Sequence, residues 1–180
     1  MTYDDAHQIT FPPGTYHGLG DALAAAGLAL ENNNGNWYAN DPQAVLAFIA
    51  SYDPLPAQRK ALWASVADDR IRRQQLGVPY TFPDGQAGTI QTRNEQDLLN
   101  INGLATRALM AQAAGVTDPV FGFRDEENRS HSMTPAQVLD LAVAASNFVE
   151  ALYTAKWAHD SAIAAWDGSS QYDLGAYWPE

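Results

Sequence analysis

The sequence predicts a mainly α protein with small β-hairpins, an α+β fold. In it a three-helix bundle with two intervening hairpins follows a small α/β N-terminal module. Three observations predict it. Apolar residues recur at three- and four-residue steps, as in Leu98, Ile101, Ala105 and Ala108 and again in Val138, Leu141, Ala145, Phe148, Leu152 and Ala155. Between the helical stretches, Val78, Tyr80 and Phe82 alternate ahead of Asp84-Gly85, the mark of a hairpin. Nearer the start, Asn34-Gly35 sits between short apolar segments, and both residues tolerate the positive φ of a tight hairpin turn.

Taken in order, residues 1–17 read as an extended N-terminal arm, because Pro12-Pro13-Gly14 forbids regular helix or central strand. Residues 18–53 read as a helix-hairpin-helix module. Its first helix runs from Asp21 to Gly27, and its second is capped by Asp41 and opened by Pro42, with Val45, Phe48 and Ile49 as the buried stripe. Asp53-Pro54-Leu55-Pro56 reads as a stiff joint. Residues 57–167 are expected as helix, hairpin, helix, hairpin, helix. The first helix spans 57–77 and carries Asp68/Arg72 and Asp69/Arg73 as exposed pairs four apart. Thr92 and Glu95 are expected as the capping box of the second helix, and Thr134 with Gln137 as that of the third, which extends to about Trp166. The hairpins are expected either to project as ribbons or to extend the core at one end. Residues 168–180 read as a C-terminal aromatic tail after a Gly-Ser-Ser break.

Composition narrows the function. Twenty-one acidic residues face 10 Lys plus Arg, a net charge of −11. Phosphate binding needs clustered cations, so nucleic acid is not an expected partner, and the same field opposes anionic membranes. Cysteine is absent, which excludes disulfides, thiolate metal sites and cysteine nucleophiles. The first residues lack the pattern of a signal peptide, and no run of about 18 apolar residues marks a span.

Four passages carry a resemblance: Ile90-Gln91-Thr92-Arg93-Asn94-Glu95 before an Ala/Leu helix, Ser132-Met133-Thr134-Pro135-Ala136-Gln137-Val138, Tyr52-Asp53-Pro54-Leu55-Pro56, and the ending Tyr172-Asp173-Leu174 through Trp178-Pro179. In their order they resemble a domain of unknown function found in bacteriophage tail and tail-fibre-associated proteins, over about residues 52–180. The resemblance implies a virion structural role in tail, tail fibre or baseplate, no enzymatic activity, and synthesis in the host cytoplasm before incorporation into the virion. The extended arm and the Trp37 module depart from the usual pattern.

The residues themselves supply no convincing chemistry. His7, His17, His131 and His159 lack a compact ligand spacing, so no metal and no cofactor is expected. Ser130-His131-Ser132 has the residue types of a hydrolase, but neighbours on a strand point to opposite faces. Glu126 and Glu127 read as solvated turn residues. Asn32, Asn34, Gly35 and Asp41 partly mimic a calcium loop, with Leu30 where a carboxylate is needed. Arg59, Lys60, Arg70, Arg72 and Arg73 form a basic cluster read as an internally paired face.

Association has better candidates. Trp157 and Trp166 lie nine positions apart, about 180° around a straight helix, so one of them should face away from the core. Tyr172, Leu174, Tyr177 and Trp178 form either a docking peptide or a tail that folds back. The expectation is a homo-oligomeric tail component, a trimer by resemblance and tail symmetry, contacting itself and other phage tail proteins. The alternatives are a tail-fibre assembly factor absent from the mature virion, and a glycan-active or calcium-dependent enzyme.

Overall fold

The computed structural model describes residues 3–14 and 16–179. Parts of the expected arm and tail fall on Met1, Thr2, Thr15 and Glu180, which lie outside the described residues. Five helices and three small antiparallel sheets among the described residues make the α+β class that the hydrophobic spacing predicts. The chain divides into two units, Met1–Leu62 with Ala164–Tyr172, and Trp63–Ile163 with Asp173–Glu180.

The first unit holds β1 (Gln8–Ile9), α1 (Leu19–Ala25), β2 (Leu30–Asn33), β3 (Asn36–Ala39) and α2 (Pro42–Ser51). Asn34 and Gly35 both have positive φ, 52° and 88°, and close the β2–β3 hairpin as expected. Within the segment read as an arm, residues 8–9 pair with β3, Gln8 opposite Tyr38 and Ile9 opposite Trp37, giving the order β1-β3-β2. Ile9 is thereby buried, together with Leu19, Leu23, Ala39, Val45 and Ile49. Asp41 caps α2 by accepting the Ala44 N–H at 2.9 Å. The expected joint at Asp53–Pro56 is shorter than the sequence suggested. Helix α3 (Leu55–Gln75) already begins at Leu55, whose N–H bonds the Asp53 carboxylate at 2.9 Å, and Pro56 sits in the first turn, where no N–H is needed.

The second unit takes residues 63–75 of α3, then β4 (Val78–Thr81), β5 (Ala87–Ile90), α4 (Glu95–Ala113), β6 (Phe121–Arg124), β7 (Ser130–Met133) and residues 135–163 of α5 (Pro135–Ala165). The hairpins do not project. Val78 pairs with Ile90 and Phe121 with Met133, and all four are buried with Phe82, Ile101, Ala108, Val138, Leu141 and Ala145 in one core. Burying an aliphatic or aromatic side chain contributes about 1.5–3 kcal/mol, so the hairpins are structural walls of this core.

Two local expectations change. Thr92 does not cap α4. Asn94 does, accepting the Asp97 N–H at 3.0 Å, while Asp97 accepts the Arg93 N–H. Thr92 is fully buried and serves the preceding helix. Its hydroxyl donates to the Gln74 carbonyl at 2.8 Å, and the Gln74 amide donates back to the Thr92 carbonyl at 3.0 Å. The last carbonyls of a helix have no partner inside it, so this exchange satisfies one of them. On α3 the expected Asp69/Arg73 pair forms at 2.9 Å, but Arg72 also turns to Asp69, so the expected Asp68/Arg72 pair does not form. By contrast the Thr134–Gln137 box forms as expected, with reciprocal bonds of 2.8 and 3.3 Å.

Helix α5 is long and apolar enough to cross a membrane by length and composition, although no span was expected from the sequence. The core helix of a soluble protein meets the same criterion. One face of α5 supplies Val138, Leu141, Ala145, Leu152, Ala155 and Ile163 to the interior.

Gly77 and Gly115 follow α3 and α4 with φ of 76° and 78°. A Cβ on Gly77 would lie 2.7 Å from the Ile90 carbonyl, whereas one on Gly115 would meet nothing within 4 Å. Gly115→Ala should therefore cost only the left-handed backbone strain, about 1 kcal/mol. Gly77→Ala adds a backbone clash and should cost about 3 kcal/mol. Urea unfolding of both variants checks the order.

Candidate interaction surface

The six aromatic and apolar residues expected to mediate association divide between the two units. Trp166 and Tyr172 belong to the first. Trp166 stands just past the end of α5, its indole N–H bonds the Ser170 carbonyl at 2.9 Å, and its ring lies 6.2 Å from Tyr172 at 75°. Arg59 donates Nε to the Trp166 carbonyl at 3.0 Å. The Gly168-Ser169-Ser170 break is thus a turned segment with its own contacts.

Trp157, Leu174, Tyr177 and Trp178 belong to the second unit. Trp157 is 60% exposed and lies 6.1 Å from Tyr153, whose ring also receives the Arg70 guanidinium at 4.7 Å. The reasoning that one tryptophan near the end of the long helix must face outward applies to Trp157. Trp166 has left the helix. The tail places the Tyr177 and Trp178 rings each 5.0 Å from the buried His159 ring, and Arg73 covers Trp178 at 5.0 Å. Residues 173–179 therefore lie back on their own unit. Burial holds the His159 imidazole below its ordinary value, against a backbone bond at Ala176 and the charges of Asp173, Asp69 and Asp160. Tyr177 nevertheless stays largely exposed, as does Leu174.

The sequence reading missed a buried ionic cluster between the two hairpins of the second unit. His131 on β7 is 1% exposed. Its Nδ1 meets Asp84 at 2.8 Å and its Nε2 meets Asp125 at 3.1 Å. Two carboxylates on two ring nitrogens require both nitrogens to donate, so the ring is held as an imidazolium. Its face stacks on Phe82 at 3.7 Å, nearly parallel. Asp125 is fully buried and also accepts the Arg129 backbone N–H at 2.7 Å and the Arg129 Nε at 2.9 Å. Arg129 continues to the Ala87 carbonyl, and Glu127 accepts both the N–H and the hydroxyl of Thr89. Glu127, expected to be merely solvated, thus binds the first hairpin, and the 125–129 turn covers the open edge of β5. Gly88 makes room for this. A Cβ there would lie 2.5 Å from Asp125 Oδ2.

Burial alone would raise the Asp125 carboxyl. The bonds from the Arg129 backbone, His131 and the Arg129 side chain outweigh it and hold the group at about 2. His131 is pulled down by burial, yet Asp84 and Asp125 raise it above its ordinary 6.5. The Gln86 N–H, with His131, lowers Asp84. With both imidazole nitrogens occupied, His131 offers no acceptor to Ser130 or Ser132, and Ser132 donates to the Pro119 carbonyl instead. The arrangement is suited to fastening two hairpins. The residues that mimic a calcium loop act locally. Asn32 accepts the Gly35 N–H at 3.2 Å, and Asp41 caps α2.

His131→Gln leaves a buried carboxylate short of a charged partner and should cost about 3 kcal/mol near pH 6. The sign of its pH dependence follows from the shifts. Stabilisation from a raised histidine is complete below 6.5 and is lost as pH climbs through the raised value. Stabilisation from the lowered Asp84 and Asp125 is complete above their ordinary 3.8 and is lost on acidification, for Asp125 as pH falls through about 2. The gap between parent and variant should be widest from about pH 4 to 6.5 and shrink toward pH 9, which urea midpoints at pH 6 and pH 9 will measure.

Compared with known proteins, residues 57–176 match a family described as a domain of unknown function, DUF4376. No curated protein and no solved structure matches the chain.

Proposed function

From the premise that this chain belongs to the DUF4376 family, whose match spans residues 57–176, we propose that it is a structural component of a bacteriophage tail acting through protein–protein assembly contacts. The family itself carries no assigned function. The tail assignment rests on the resemblance of the strand-to-helix junctions and the aromatic ending to phage tail and tail-fibre-associated proteins.

One observation carries the assembly reading. Between Leu98 and Ala113, α4 has a single charged residue, Arg107, and its guanidinium lies 5.6 Å from the Phe121 ring. Ile101 and Ala108 face the core, yet Leu99, Leu109 and Met110 are 54%, 55% and 68% exposed. Leu99 and Met110 are eleven residues apart, three helical turns, so they share the outward face. Large apolar side chains left exposed on one stripe of a helix mark a surface that a partner covers. On α5, Val143 and Trp157 are also exposed large apolar residues. A second copy of the chain is the occupant that fits a tail component, since tail parts are closed symmetric oligomers. The acidic exterior limits association to these faces.

The expected result is an oligomer, a trimer by tail symmetry, in sedimentation of the purified protein, and the chain itself in mass spectra of purified particles. Leu99→Asp with Met110→Asp should weaken self-association by about 2 kcal/mol, roughly 30-fold, with thermal stability retained. A protein abundant in lysate and missing from particles would move the reading to an assembly factor. A wild-type monomer at micromolar concentration would end the homo-oligomer reading.

A further inference from the structure

The first unit holds a feature outside the family match and separate from the assembly faces. Between α1 and the β2–β3 hairpin lies a cleft of about 680 Å³, walled by Phe11, Tyr16, Leu19, Leu23 and Trp37, with Glu31 at its rim. Phe11 stands edge-on to Tyr16 at 5.1 Å and to Trp37 at 5.5 Å, so the aromatic wall is a packed group. Trp37 stays 39% exposed and offers its ring to the opening. Glu31 is fixed by the Tyr3 hydroxyl, which donates to Oε2 at 2.8 Å. The Tyr3 ring in turn packs edge-on to Tyr38 at 5.1 Å. The volume is that of a small-ligand pocket, and the walls suit one or two large apolar side chains.

Charge identifies the occupant. Residues 1–58 contain six acidic residues (Asp4, Asp5, Asp21, Glu31, Asp41 and Asp53) and no Lys or Arg at all. Among the described residues, Glu31 is the sole charged side chain lining the cleft. An anionic peptide or an anionic lipid surface finds no Lys or Arg in these 58 residues to pair with. The chain's own ending, with Asp173 and Glu180 and no cation, has the wrong sign. We propose that this cleft is a docking site for a partner protein segment in which large apolar side chains stand beside a Lys or Arg. The apolar residues enter between Phe11, Leu23 and Trp37, and the cation meets the Glu31 carboxylate at the rim. Charge-assisted contact at a partly desolvated rim sets the choice of partner, while the apolar wall supplies affinity. The inference does not rest on the phage reading or on the α4 face, and it is tested separately from both.

The test uses the full chain and two blocked synthetic peptides, Lys-Leu-Phe-Leu-Lys and Glu-Leu-Phe-Leu-Glu, titrated at low ionic strength. Calorimetry and the Trp37 indole resonance are the readouts. The lysine peptide should bind at least about tenfold more tightly than the glutamate peptide and shift the Trp37 resonance. Glu31→Gln should shrink the ratio, and Glu31→Lys should invert it. Trp37→Ala should weaken the lysine peptide with circular dichroism unchanged. Equal affinity for the two peptides overturns the proposal. So does a Trp37 resonance that neither peptide moves, or lysine-peptide binding that survives Trp37→Ala intact. Stronger uptake by vesicles of anionic lipid than by the lysine peptide would overturn it in favour of a membrane surface.

Discussion

A carboxylate with no exposed surface sits at the junction of the two hairpins. Removing an ion from water costs several kcal/mol unless donors replace the lost hydration. Asp125 is ringed by such donors, the backbone and side chain of Arg129 and the ring of His131. Each donor is fixed in turn. Asp84 in the turn of the first hairpin holds the far nitrogen of His131, and Phe82 stacks beneath the ring. These bonds tie one hairpin to the other beside the apolar core that both hairpins wall. Val78, Ile90, Phe121 and Met133 occupy the inner face of these walls.

Much of this fold was legible in the sequence because its local signals are strong. Asn34-Gly35 and Asp84-Gly85 each turn a hairpin, and Asp41-Pro42 and Thr134-Pro135 each begin a helix at the expected residue. The spacing of Val138, Leu141 and Ala145 marks the buried face of α5. Errors arose where two residues competed for one role. Thr92 and Asn94 are both good caps, and three-residue spacing from Thr92 to Glu95 matches the box. The deciding fact is tertiary. The Thr92 hydroxyl is claimed by the Gln74 carbonyl, eighteen residues back, so capping passes to Asn94.

The buried cluster was illegible for the same reason. Asp84, Asp125 and His131 come from two hairpins, and no spacing rule links a turn residue to a strand residue 47 positions later. The only local trace was Asp125 with Arg129 across a turn, which reads like any solvated loop. The candidate interaction residues were half legible. Trp157 faces outward as helical geometry required, and Trp166 does not, because the helix ends at Ala165 before it. On α4 the three- and four-residue spacing marks Ile101 and Ala108 as the buried face but does not tell whether Leu99 and Met110, on the other face, are covered.

The division of the chain has a temporal side. The core of the first unit uses side chains from Ile9 to Ile49 and is complete once those residues have left the ribosome. Its closing segment, 164–172, is translated more than a hundred residues later, after the entire 63–163 stretch. Arg59 therefore gains the Trp166 carbonyl only after the intervening residues have been synthesised.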